Sequence, residues 1–403
     1  MSIRLRKFPY PYQAALTIAS DTDGYSTTFF EELHKYLNTK NQTKFGAGLG
    51  LEIGDSFWMF TENDQDKGIS YFTDSSCKEK YSADLIQRYY QKGILDILHT
   101  YGDFSFNPKF DRELATKALK ELENKQIYVD VWVNHGSEHN FQNLINGYGD
   151  LEVYIDGSKR EFKVKEYHVD MLVKYGIRFV WIDKLTMVVG QERRYSIGEY
   201  LKRLIKIKRY YLLKNIRSNS DENTWKNELM RPLKLRDGQK VYEFIRYGDN
   251  HKSALENIPQ ILNKKVIKKL IKSGGITILY THLGKKSFND DSISEEIKQV
   301  FRNLKDAYEK GDLLITTTSK ILNYLVVSKG LKWNTYGKNI VIEEIDDPVK
   351  GKFVPSPDDL RGITFYVSSP KEAELYINQK KLEDIRLNPP DLSGRKSISI
   401  KWK

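Results

Sequence analysis

The chain has a single cysteine in 403 residues, Cys77, which excludes an internal disulfide. No C-x-x-C pair or Cys/His spacing suggests a structural zinc site, so any metal must be held by histidine and carboxylate. Long apolar runs are missing too: nothing approaches the roughly 20 residues that span a bilayer. The opening MSIRLRKFPYPYQAALTIASD breaks its one candidate run with prolines and then acids, and a soluble, cytoplasmic protein is expected. Nucleotide loops are absent in their usual forms. FGAGLG lacks the G-x-G-x-x-G spacing and runs on into apolar residues, and there is no G-x-x-x-x-G-K-[ST]. The net charge of +11, from 65 basic against 54 acidic residues, favours anionic partners in general. No reader motif accompanies it, and nucleic acid is not an expected partner.

What is present suits a globular chain, with 39% hydrophobic and 12% aromatic residues to fill a core. Apolar runs that predict strands recur at AALTIAS (14–20), FGAGLGLEI (45–53), ILDIL (94–98), IYVDVWV (127–133), RFVWI (178–182), VYEFI (241–245), ITILY (276–280) and LLITT (313–317). Between them TTFFEELHKYLN, DRELATKALKELEN, VIKKLIK and SISEEIKQVFRNLKDAYEK carry apolar residues at three and four spacing, which predicts helices. Asp111 is placed to cap the second of these and Gly311 to stop the last. The alternation predicts an α/β fold with a mainly parallel sheet, a distorted (β/α) barrel over residues 1–330. Residues 184–239 fit the repeat poorly and are expected as an insertion. After about Gly330 short alternating runs between Pro, Gly and Asp clusters predict a small accessory antiparallel β domain, 331–403.

The chemistry-bearing residues sit at strand ends. SDTDG (20–24) follows the first strand, and Asp21 and Asp23 there face the rim where barrel enzymes work; the structural alternative is that one of them caps the helix near Thr27. ILDILHTYGDFSF (94–106) places His99 at a strand end and Asp103 four residues later, a spacing that brings an imidazole and a carboxylate together. WVNHG and YTHLG put His135 and His282 on the same rim, and Asp183 follows RFVWI. Each alone is a common strand-end residue; three strands ending in histidine and one ending in paired aspartates point to one site, with Asp183 at a fifth strand end. His139 is a candidate substrate contact, whereas His34, His168 and His251 read as structural. The basic, apolar segment 201–217 suits either contact with an anionic membrane surface or glycan carrier, or a solvated helix packed on the barrel.

In this order these motifs resemble the polysaccharide deacetylase family of the NodB-homology, carbohydrate esterase 4 type, over roughly residues 10 to 330. The resemblance implies a deacetylase-type barrel with Asp21 as catalytic base and Asp23 as metal ligand. HTYGD corresponds to the two-histidine motif, with His99 retained and Asp103 where the second histidine is expected, so the implied ligands are Asp23, His99 and Asp103. Asp183 corresponds to the family's strand-end acid and His282 to its general acid. Where the family has Arg-Pro on the fourth strand this chain has Asn134 and His135. The arginine that orients the base is therefore moved or lost, and His135 becomes available to the metal. Substrate contacts are expected from Trp132, Asn134, His135, His139 and Tyr101.

The implied reaction is removal of an acetyl or similar acyl group from an amino sugar or a nucleotide- or lipid-linked glycan precursor. Its cofactor is a divalent ion, zinc first, with cobalt, manganese or nickel as alternatives. The competing expectation, prompted by Asp103 and Asn134, is a catalytically weakened glycan-binding protein on the same barrel. A metal-free glycosidase fits less well, because two acids one residue apart are poorly placed to flank a bond from carboxyls roughly 5 Å apart.

Overall fold

The computed structural model describes residues 3–61, 68–73, 76–79, 82–104, 110–136, 140–155, 159–195, 197–201, 227–286 and 292–402. They form a mixed α/β structure with parallel and antiparallel sheets. One sheet holds seven strands in the order Met230–Lys234, Lys240–Phe244, Phe179–Trp181, Val131–Val133, Leu95–Leu98, Asp55–Phe60 and Ser70–Phe72. All its pairings are parallel except that of Met230–Lys234 with Lys240–Phe244. A second, wholly parallel sheet runs Leu185–Thr186, Arg246–Tyr247, Ile276–Thr281, Ala14–Ser20, Leu313–Ile315. Strand Ala14–Ser20 is buried along its whole length, as a parallel strand covered on both faces must be.

The single closed barrel expected from the sequence is not present as one hydrogen-bonded ring. The run VYEFIRY is interrupted at Ile245: Lys240–Phe244 stays with Phe179–Trp181, while Arg246–Tyr247 passes to Ile276–Thr281. On the other side Ala14–Ser20 takes Leu313–Ile315 as its second partner rather than Asp55–Phe60. The break leaves two sheets where one was expected.

Strand FGAGLGLEI is a second correction: the strand lies at Asp55–Phe60, and the glycine run before it wraps the end of helix Thr27–Asn38. There the backbone N–H groups of Leu49 and Leu51 donate to the carbonyls of Tyr36 and Leu37, filling acceptors a helix end leaves open. A Cβ on Gly48 would lie 2.2 Å from the Thr39 carbonyl oxygen, so only glycine allows that approach. The other strand runs appear within a few residues of their expected bounds, shortened most at Val131–Val133.

The helices follow their caps. Ser26 accepts from the Phe29 N–H to begin Thr27–Asn38, Asp111 accepts from Leu114 to begin Arg112–Asn124, and Ser294 accepts from Ile297 to begin Glu295–Glu309. Each such cap stabilises its helix by about 1 kcal/mol. Gly311, at φ +75°, ends the last of these. VIKKLIK lies inside the helix Lys264–Ser273, begun two residues earlier by the Asn263 cap.

From Leu331 onward the chain forms two small sheets, one of them including Arg4–Leu5 from the N-terminal region. Pairing there is antiparallel apart from Asn339–Asp347 with Glu374–Ile377, which is parallel. The C-terminal residues are thus neither purely antiparallel nor built from 331–403 alone. Tyr242 donates to Asp347 at 2.7 Å across the junction with the larger sheet. Among the described residues no helix is long and apolar enough to cross a membrane. Residues 202–217 of the basic segment lie outside the described residues.

Candidate metal and active site

The carboxyl ends of the parallel strands bring the acidic turn and three histidines to one rim. Asp21 leaves strand Ala14–Ser20 with its N–H on the Thr281 carbonyl at 2.9 Å, and Ser20 Oγ accepts from Leu283 N–H at 3.1 Å, so the acidic turn and the His282 turn are tied together. Gly24, at φ +84°, makes the bend; a Cβ there would lie 2.9 Å from Lys285 Cγ. Ser26 caps the following helix, which leaves both aspartates free of the capping role.

Asp21 is clamped by a residue that sequence reasoning missed. Arg246 donates through Nη1 to Oδ1 at 2.6 Å and through Nη2 to Oδ2 at 3.1 Å, a bidentate pair with both partners buried. The guanidinium carbon lies 3.5 Å from the centre of the Trp181 ring and 4.4 Å from that of Tyr280. Arg246 stands where the interrupted strand resumes, and a charged residue inside the apolar run VYEFIRY was the one signal available. Burial opposes ionisation of Asp21, but Arg246, His99 and His282 together outweigh it and hold the carboxyl below its usual range.

His99 follows strand Leu95–Leu98, and the chain turns sharply after it through Thr100, at φ +53°. Its Nδ1 lies 3.4 Å from Asp23 Oδ1, and its Nε2 lies 3.2 Å from His135 Nδ1 and 3.8 Å from Asp21 Oδ2. His135 Nδ1 is 3.8 Å from Asp23 Oδ1. Asp23, His99 and His135 each offer a ligand atom, and these atoms lie within 4.8 Å of one another. This grouping differs from the expected set of Asp23, His99 and Asp103. Asp103 stands outside the trio, half-exposed, with Oδ1 3.3 Å from His135 Nε2. His135, expected as a substrate contact, is the third member of the trio.

Polar residues sequence reasoning also missed fix His135. Its N–H donates to Asn143 Oδ1 at 3.0 Å, and its carbonyl accepts from Asn140 at 2.8 Å and Asn143 at 3.0 Å. Trp58, from strand Asp55–Phe60, stacks on His99 with ring centres 5.7 Å apart and meets His135 edge-on at 5.2 Å, forming an apolar wall. Burial pushes His99 down to about 4 despite the attraction of Asp21. At His135 burial is again the largest influence, but Asp23, Asp103 and Asp21 together outweigh it and raise its proton affinity. Asp23 is held low in the same way, burial being overcome by the three histidines and Lys285.

His282 closes the site from strand Ile276–Thr281. Its Nε2 lies 3.8 Å from Asp21 Oδ2 and 3.7 Å from Asp23 Oδ2, and burial, outweighing both acids, lowers its proton affinity. Lys285 donates to Asp23 Oδ2 at 2.9 Å, leaving the buried Oδ1 without a hydrogen-bond partner.

The remaining expected residues divide. Asp183, at φ +68°, is exposed and accepts from Asn146 at 2.9 Å. Tyr101 and Trp132 are wholly buried, packed against each other and around His168, and are corrected from substrate contacts to core. Asn134 is corrected too. It is buried, accepts from the Trp132 indole at 3.1 Å and donates to the Leu144 carbonyl at 2.9 Å, which spends its amide on the loop beneath His135. His139 lies outside the described residues. His34 and His168 are buried, bound to Asn38 and Asp55 and to the Gln142 carbonyl respectively.

No protein-family model, curated protein or solved structure was found to match the chain.

Proposed function

We propose that the chain is a metal-dependent acyl hydrolase of the polysaccharide-deacetylase type, working on an acetylated amino sugar or glycan precursor at the mouth of a split (β/α) barrel. The observation that carries this reading is the convergence of Asp23, His99 and His135 on one point, with Asp21 clamped by Arg246 on one side and His282 on the other.

A divalent ion suits these residues. Asp23 Oδ1 and His99 Nδ1 are buried with no hydrogen-bond partner, a costly state that a cation would relieve. One carboxylate and two imidazoles form a donor set that favours zinc and also takes cobalt, nickel or manganese. Asp23, His99 and His135 would hold the ion, and when bound it supplies Lewis-acid polarisation of the acyl carbonyl.

The rest of the chemistry belongs to side chains. Asp21, kept ionised by Arg246, accepts the proton of the attacking water at Oδ2, the oxygen that faces His99 and His282. Arg246 fixes the orientation of that carboxylate. His282 presents Nε2 to both acids and carries a proton to the leaving amine as the C–N bond breaks. Water adds across the amide to give a carboxylic acid and a free amine. Trp58 lines one side of the histidine pair and excludes solvent from it.

The test combines elemental analysis of the purified chain with acetate release from N-acetylated chitooligosaccharides and from a nucleotide-linked N-acetylhexosamine. About one ion per chain, with acetate released and the release lost on chelation, is the expected result. Asp21→Asn should abolish release while keeping the ion, and His99→Ala should remove both. An ion-free chain, or full activity in either variant, overturns the reading.

A further inference from the structure

The two ring nitrogens of His135 face different partners. Nδ1 points into the site, 3.2 Å from His99 Nε2 and 3.8 Å from Asp23 Oδ1, whereas Nε2 points out to Asp103 Oδ1 at 3.3 Å. A neutral imidazole has one N–H and one lone pair. A carboxylate accepts but does not donate, and Asp103 at 3.3 Å is within hydrogen-bond reach of Nε2 while Asp23 at 3.8 Å is beyond it from Nδ1, so the proton belongs at Nε2 and the lone pair at Nδ1.

The position of Asp103 is built into the fold. Gly102 bridges to Phe60, and a Cβ there would lie 2.4 Å from the Phe60 carbonyl oxygen, so a residue without a side chain is required immediately before Asp103. Gln142 holds the same turn from below, accepting from Tyr101 N–H at 2.8 Å and donating to the Gly102 carbonyl. The His135 backbone is in turn clamped by Asn140 and Asn143.

Resting on the metal-hydrolase reading, we infer that Asp103 is a positioning residue: it fixes His135 as an Nδ1 donor to the ion and does not bind the ion itself. The aspartate four residues after His99 thereby serves a histidine from the neighbouring strand. Such outer carboxylates orient a ligand and raise its basicity.

The experiment is a zinc competition titration against a chromophoric chelator, on the full chain, for wild type, Asp103→Asn, Asp103→Glu, His135→Asn and the double variant Asp103→Asn/His135→Asn. Asp103→Asn should weaken zinc about 10- to 100-fold, and Asp103→Glu should recover most of that loss. The double variant should bind no more weakly than His135→Asn alone, because Asp103 acts through His135. Unchanged affinity in Asp103→Asn overturns the assignment. So does a further loss of the full single-variant size in the double variant, which would make Asp103 a direct ligand. A wild type that takes up no zinc, cobalt, manganese or nickel overturns the hydrolase reading itself, an outcome distinct from a zinc-binding wild type indifferent to Asp103.

Discussion

Arg246 and Asp21 are joined by two hydrogen bonds, 2.6 and 3.1 Å, between fully desolvated partners, and the guanidinium is stacked between Trp181 and Tyr280. Arg246→Lys keeps the charge but loses the fork and the flat stacking surface. Acetate release should fall by about 10²-fold in kcat with KM little changed, the signature of a misplaced base. Arg246→Met leaves Asp21 buried and unpaired, which should cost about 3–5 kcal/mol in denaturant unfolding. Stability within error of wild type in Arg246→Met would show that the pair is not coupled to the fold.

Metal content should follow the trio and not the wider acidic rim. Asp23→Asn, His99→Ala and His135→Ala should each lose the ion in elemental analysis, while Asp183→Asn, altered at an exposed side chain bound to Asn146, should retain it. Retention of a full complement by His135→Ala would remove that residue from the ligand set.

Asp96 sets a pH dependence remote from the ligands. It lies buried in strand Leu95–Leu98, and burial pushes its carboxyl up to about 7 against the hydrogen bond it accepts from Ser319 N–H at 2.7 Å. Because its folded value exceeds the unfolded 3.8, the folded state binds more protons between the two. Its contribution is fully present below about 4 and is lost as pH rises through about 7, up to about 4 kcal/mol in all. Asp96→Asn should therefore raise the melting temperature at pH 8 and change it little at pH 4. An equal effect at both would refute the buried-proton account.

Gly48→Ala should destabilise the chain by about 1–3 kcal/mol, because the new Cβ meets backbone carbonyl oxygen rather than a side chain that can turn aside. Urea unfolding checks this; a neutral result would mean the segment around the helix end yields easily.

The sequence made the strand ends legible because apolar runs such as ITILY and LLITT are buried on both faces and carry no competing signal. Caps at Asp111 and the stop at Gly311 were readable for the same local reason. FGAGLGLEI misled: only Gly46–Ala47 within it is a strand, and from Gly48 on it packs around a helix end in close backbone contact with Thr39. Asp21, Asp23, His99 and His282 could be singled out because their types are scarce in apolar settings, and the structure brings their side chains together. Arg246 was missed because nothing local tells whether a strand arginine faces water or a carboxylate 225 residues away. Tyr101 and Trp132 were misjudged because aromatic residues beside a motif suit a sugar platform and a core equally well. His135 rather than Asp103 joins Asp23 and His99 because spacing fixes neighbours along a turn, while which side chains meet is settled across strands.

The three donors come from the ends of three strands, Ala14–Ser20, Leu95–Leu98 and Val131–Val133. No short stretch of the unfolded chain carries two of these three side by side, so the trio itself is assembled only by folding. If the trio holds an ion as proposed, that ion favours the native side of the folding equilibrium, and its free concentration contributes to stability through mass action. On that proposal a chelator would act on this chain as a mild denaturant, and a pulse of free zinc would lengthen its lifetime against proteases.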